Sequence, residues 1–184
     1  MFTPLSLICT TESMNYHAAK AYILDRLGHQ LDENLTYHSL SHTLDVLNIT
    51  EELCLLEKIS VYETMLLKTA ALFHDSGFLI NNKNHEELGC GIVREVLPRY
   101  DYTEIAIQKI CDMIMATKIP QSPKNNLEKI ICDADLDYLG RDDFYKIGNK
   151  LFQELKTYHV LSTETDWNQL QVKFIGAHHF FTTT

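Results

Sequence analysis

The 184-residue chain has little glycine and little proline, seven and four. That scarcity argues against an all-β sandwich, whose closely spaced turns draw on both residues. Positive charge is also short. Sixteen Lys and Arg stand against 25 Asp and Glu, for a net charge of −9. Such a surface repels a phosphate backbone, so long nucleic acid is not an expected partner. A small anion is still compatible, because a bound cation reverses the local potential. There is no apolar run of about 18 residues to span a membrane. Nor does a basic segment followed by an apolar one open the chain, so no signal peptide is expected. Cytoplasm is the expected location. Cys9, Cys54, Cys90, Cys111 and Cys132 form no Cys-x-x-Cys pair and are odd in number. They read as small buried hydrophobes in a reducing compartment rather than as disulfides, zinc ligands or nucleophiles.

What is present is ordinary globular material, 45% hydrophobic and 22% charged. A chain of this size can bury a core without staples. One domain over residues 1–184 is expected. Apolar residues recur at three- and four-residue spacing, as in Leu40, Leu44 and Leu47, or Leu66, Leu67, Ala70, Ala71 and Phe73. That period is helical. Helices are expected over 13–29, 39–57, 62–75, 84–97, 102–117, 126–138, 142–158 and 163–181. Thr11 or Ser13 is the expected first N-cap. Gly28 and Gly77 sit where C-terminal cap glycines belong. Pro98 fits the end of the fourth helix, and Pro120 and Pro123 mark the loop after the fifth. The chain stops at His178-His179-Phe180-Phe181-Thr182-Thr183-Thr184 with no clear helix end. This ending is read as a truncation, with a further domain left open.

Three segments carry candidate chemistry. In Tyr37-His38-Ser39-Leu40-Ser41-His42, two histidines are four apart, and on a helix that spacing stacks them on one face. In Ala70-Ala71-Leu72-Phe73-His74-Asp75-Ser76-Gly77, an apolar helix runs straight into a His-Asp pair. A buried imidazole and carboxylate are costly unless paired or ligated. In Cys132-Asp133-Ala134-Asp135-Leu136-Asp137, acids two apart cannot share one helix face. At least one should point inward, and Asp137 is read as solvated. Imidazole and carboxylate ligands from separate helices suit a divalent ion in a site assembled inside a bundle.

Through these residues the chain resembles the HD-domain superfamily of metal-dependent phosphohydrolases. The resemblance runs by motif from about residue 30 to 140, through Tyr-His-x-x-x-His, Ala-Ala-Leu-Phe-His-Asp and Asp-Ala-Asp-Leu-Asp. It implies an all-α HD-domain bundle of seven to eight helices. It makes His42, His74, Asp75 and Asp135 the metal ligands, with Asp133 as the fallback for the last. The cofactor it implies is a divalent ion: manganese, magnesium, iron, nickel or zinc. His38 matches the position that, in the cyclic nucleotide phosphodiesterases with this local motif, protonates the leaving oxygen. His85 matches a position that in relatives touches phosphate, a water or a second metal, and Lys118 is a candidate phosphate contact. The expected catalytic residues are therefore His38, His85 and Asp75. His38, His85 and Lys118 are the expected substrate contacts.

The reaction so implied is hydrolysis of a phosphoester, a phosphomonoester or cyclic phosphodiester of nucleotide type, by attack of a metal-activated water. Because only His85 lies between Asp75 and Asp135 as a further histidine, one metal is expected. A nucleotide-sensing regulatory domain with little turnover and a di-iron oxygenase are the alternatives. The expected partner is a small phosphorylated molecule, and a homodimer is left open. His17, His29, His159, His178 and His179 are read as structural or surface residues. Trp167, Phe174, Phe180 and Phe181 are read as helix packing.

Overall fold

A computed structural model describes residues 14–184. Eight α-helices follow one another with no strand among the described residues: α1 Tyr16–Gln30, α2 Leu40–Leu56, α3 Val61–Phe73, α4 His85–Val96, α5 Glu104–Thr117, α6 Asn126–Leu136, α7 Phe144–Thr157 and α8 Glu164–Ala177. Single 3-10 turns follow α3, α4 and α6, at Ser76–Leu79, Leu97–Tyr100 and Asp137–Gly140. Among the described residues no helix is long and apolar enough to cross a membrane.

The helix starts are written locally. Ser60, Thr103, Asn125 and Thr163 each accept a hydrogen bond from the backbone N–H three residues on, at the N-termini of α3, α5, α6 and α8. This satisfies one donor that the first turn leaves open. At α1 that acceptor is Asn15, 3.1 Å from the Ala18 N–H. Thr11 and Ser13, the expected caps, lie outside the described residues. Cys9 does too, whereas the other four cysteines are buried and free.

Both glycine expectations are corrected. Gly28 lies inside α1. Gly77 lies in the 3-10 turn, and no described glycine has a positive φ. Its requirement is space: a Cβ there would stand 1.9 Å from the backbone oxygen of His85.

Helix α3 is the centre of the bundle. Leu66, Leu67, Ala70, Ala71, Leu72 and Phe73 are all buried, so the C-terminal end of this helix is enclosed on every side, while Val61, Glu63 and Lys68 keep its earlier turns toward the surface. It packs on α1, α2, α5 and α6. Burying one such Leu or Phe side chain contributes about 1.5–3 kcal/mol. A smaller cluster around Tyr37, Leu136 and Tyr138 receives Phe144, Ile147, Leu151 and Phe174. This second cluster seats α7 and α8. Helix α8 buries only Trp167 fully, whose ring stacks on Phe152 at 5.7 Å.

The eighth helix stops at Ala177, four residues before the expected end. Beyond it the tail turns back to α6, where Asp133 accepts from the N–H groups of Phe181 and Thr182 and from the Thr182 hydroxyl at 2.7–3.1 Å.

Candidate metal centre

The packing of α2, α3 and α6 brings their polar positions to one point. His42 is in the first turn of α2 and His74 caps the C-terminus of α3. Asp75 follows it at the head of the 3-10 turn, and Asp135 is next to last in α6. His42 Nε2 is 3.1 Å from Asp135 Oδ1 and 3.6 Å from Asp75 Oδ2. His74 Nε2 is 3.1 Å from Asp75 Oδ2 and 3.5 Å from Asp135 Oδ1. The two Nε2 atoms are 3.4 Å apart. Ligand atoms held at metal-bond length from one ion sit ~3.0–3.4 Å apart in octahedral or tetrahedral arrangement. Among the described residues, His42, His74 and Asp135 form a group whose ligand atoms lie close enough together to hold an ion.

The chemistry of the donors agrees with that geometry. His74 Nδ1 lies 2.8 Å from the Ala71 carbonyl, which can only accept, so Nδ1 carries the proton. Nε2 faces the Asp75 and Asp135 carboxylates, and a neutral His74 would offer them only a lone pair. Asp75 Oδ2 is buried with no hydrogen-bond donor. Such a cluster of acceptors demands a positive charge. The same demand appears in the titration. Although burial opposes it, the charge and bonding of Asp75 and Asp135 hold the His74 imidazole well above its usual range. Burial likewise opposes ionisation of Asp135, but its bonds with His42 and His74 bring the carboxyl down to about 2. Asp75 is lowered further still, with the His74 charge overcoming its burial. A divalent cation fits this donor set of two imidazole nitrogens and two carboxylates.

The HD domain family profile matches residues 39–137. The chain belongs to the HD-domain family. A crystal structure of a predicted HD superfamily hydrolase from an uncultured Thermotogales bacterium superposes on this HD domain with a TM-score of 0.59. It covers 90% of this chain and 92% of that one at 21% identity, which shows a shared fold. No curated protein sequence matches the chain.

The other expected site residues are dispersed differently. His38 does not lie on α2 but in the bend before its Ser39 cap. The two rings still meet edge to face, 6.2 Å apart. His38 Nδ1 bonds to Glu154 Oε1. Glu154 also accepts from the N–H groups of Tyr37 and His38 at 2.7 and 3.0 Å. Burial lowers the His38 pKa, but the Glu154 bond and the charge of Asp75 outweigh it and raise the imidazole above 6.5.

His85 opens α4 with Nε2 3.6 Å from Asp75 Oδ1. Phe78 stacks against both His38 and His85, at 4.3 Å from each. Lys118 is not brought in. It caps α5 on the surface and bonds to Glu87. Asp133, the fallback ligand, holds the tail instead, and Asp137 faces Arg141 at 3.4 Å.

Two features escaped sequence reasoning. One is Glu154. It falls among Phe144, Ile147, Leu151 and Leu155 on the apolar stripe of α7, and an acid on such a stripe is a detectable signal. The other is the wall of a cavity beside the metal centre, to which Trp167 and Phe174 contribute. Their expected role in packing is therefore only half of what they do. No local signal marks it, since the wall arises from α8 folding over the bundle.

Proposed function

We propose that this HD domain is a metal-dependent phosphohydrolase. The observation that carries the reading is the convergence of His42, His74, Asp75 and Asp135 around an unsatisfied buried carboxylate oxygen, with His38 and His85 on its open side. The four converging residues would hold the metal. When bound, a divalent cation acidifies a water and screens charge on phosphoryl oxygens. The chemistry left to the chain is positioning and proton transfer.

In the hydrolysis, a water oxygen bonds to phosphorus, the ester P–O bond breaks, and the leaving oxygen takes a proton. The products are an alcohol and phosphate from a monoester, or one ring-opened phosphomonoester from a cyclic diester. His38 is the general acid of this reading. Glu154 fixes its Nδ1–H tautomer and favours the protonated ring, leaving Nε2 to donate. Phe78 stacks His38 and His85 in place. Asp75 receives the proton of the attacking water or orients it. His85, near Asp75 Oδ1, contacts a phosphoryl oxygen. The resemblance offers nucleotides as first substrates, mononucleotide or cyclic.

The test is a grid of manganese, magnesium, iron, nickel and zinc against common phosphoesters, run on the wild type and on His74→Ala and Asp75→Ala. Both variants are expected to lose retained metal and at least a hundredfold in kcat/KM. Full hydrolysis by either variant stripped of metal would overturn the reading. Two irons per chain with oxygen consumption would replace it with the oxygenase alternative.

A further inference from the structure

The cavity beside the metal centre measures about 380 Å³, far more than a phosphoryl group fills. At one end it is lined by His38, Asp75, His85 and Asp135. From there it runs beneath α7 and α8. Leu151 and Leu155 of α7 and Trp167, Leu170 and Phe174 of α8 form that wall, and its one polar side chain is Gln171. No lysine or arginine lines the cavity.

Arg141, Lys146 and Lys150 line another depression, of about 190 Å³, which reaches only His42 among the metal-site residues. Arg141 there is already paired with Asp45 at 2.9 Å and Asp143 at 3.0 Å. Among the described residues, the side of the site that carries His38, Asp75 and His85 therefore has no cationic side chain beyond its histidines.

We propose that this cavity receives the organic part of the phosphoester and that this part is an uncharged aryl or alkyl group. The proposal rests on the phosphohydrolase reading and deepens it to a substrate class. Apolar walls favour apolar area. Tyr37, Glu86, Thr117 and Tyr138 also line the cavity, but from elements outside the α7–α8 wall; ribose hydroxyls set against that wall would find one amide to bond, and each one left unpaired is unfavourable. A second or third phosphate would be buried without a cation. The wall comes from α7 and α8, outside the segment 39–137 that matches the family profile. Specificity thus sits on elements separate from those that hold the metal ligands.

Trp167 is the single tryptophan of the chain, so its emission reports on the cavity directly. The full chain is titrated with phenylphosphonate, hexylphosphonate, adenosine monophosphate and adenosine triphosphate, with and without manganese. Hydrolysis of phenyl phosphate and adenosine monophosphate is measured in parallel. The two phosphonates are expected to shift Trp167 emission and bind at least tenfold tighter than either nucleotide. Phenyl phosphate should show the higher kcat/KM by a similar factor.

Leu170 is partly exposed on α8, so Leu170→Asp should fold. It is expected to lose phosphonate binding tenfold or more with metal content unchanged, while Leu170→Met retains it. Nucleotide binding or hydrolysis equal to or better than that of the apolar probes would overturn the inference and leave the phosphohydrolase reading standing. No emission change with any probe would also overturn it. Phosphonate binding with no hydrolysis of either ester under any metal would keep the apolar cavity and remove the hydrolytic reading.

Discussion

His38 and Glu154 form a pair that separates proton transfer from metal binding. Glu154 is buried and accepts three bonds, two from backbone and one from His38 Nδ1. It cannot turn away without leaving those donors unsatisfied. Removing His38 should therefore leave metal content intact while kcat falls by ~10²–10⁴-fold, the usual contribution of a general acid. The pH profile gives a second readout. A raised imidazole pKa keeps the acid protonated to higher pH, so the basic limb of kcat/KM should lie above 6.5. Glu154→Gln removes the negative charge and should move that limb to lower pH. An unmoved limb would exclude His38 as the titrating acid. The same sign governs stability. What the pair contributes is fully present below the unfolded pKa and is lost as pH rises through the raised folded one.

At the scale of elements, the 3-10 turn after α3 and the start of α4 act as one unit. The turn carries Asp75 at its head and Phe78 within it, and α4 begins with His85. The backbone of His85 passes so close to Gly77 that a Cβ would meet its oxygen at 1.9 Å and its Cα at 2.8 Å. Asn84 takes the left-handed conformation, φ 56°, that turns the chain into α4. Gly77→Ala should therefore cost ~1–3 kcal/mol as overpacking and displace His85 from Asp75. Gly91→Ala on the same helix is the control. Nothing lies within 4 Å of its added Cβ, and alanine is better than glycine in a helix by up to about 1 kcal/mol. Thermal denaturation of the two variants should show opposite signs. Equal melting temperatures would mean that the close approach is relieved without cost.

For the whole molecule, the candidate metal centre draws on three helices, so metal occupancy should read out as stability. An ion that binds the folded chain alone adds about 4 kcal/mol at a thousandfold excess over its Kd. Chelation should lower Tm in the wild type, and readdition should restore it. Asp75→Ala should show little metal-dependent shift. A chelation-insensitive Tm in protein that carries metal would contradict the assignment of these ligands.

The sequence by itself determined the helices and pointed to most of the residues that meet at the candidate metal centre, because both rest on short-range rules. Period and caps place α2 to α8 within a few residues. The apolar run ending in His74-Asp75 announces a buried polar pair that needs a partner. Ala134-Asp135 could be separated from Asp133 only through the family resemblance, since acids two apart look alike on paper. Tertiary structure decided the rest. Asp133 holds the tail because residues 181–182 return to α6. Lys118 pairs with Glu87 because α4 packs beside α5. Glu154 reaches His38 across 116 residues of chain, and the α8 aromatics reach the cavity only because α8 folds over the bundle. Contacts of that separation depend on how whole helices pack, and no local spacing encodes them.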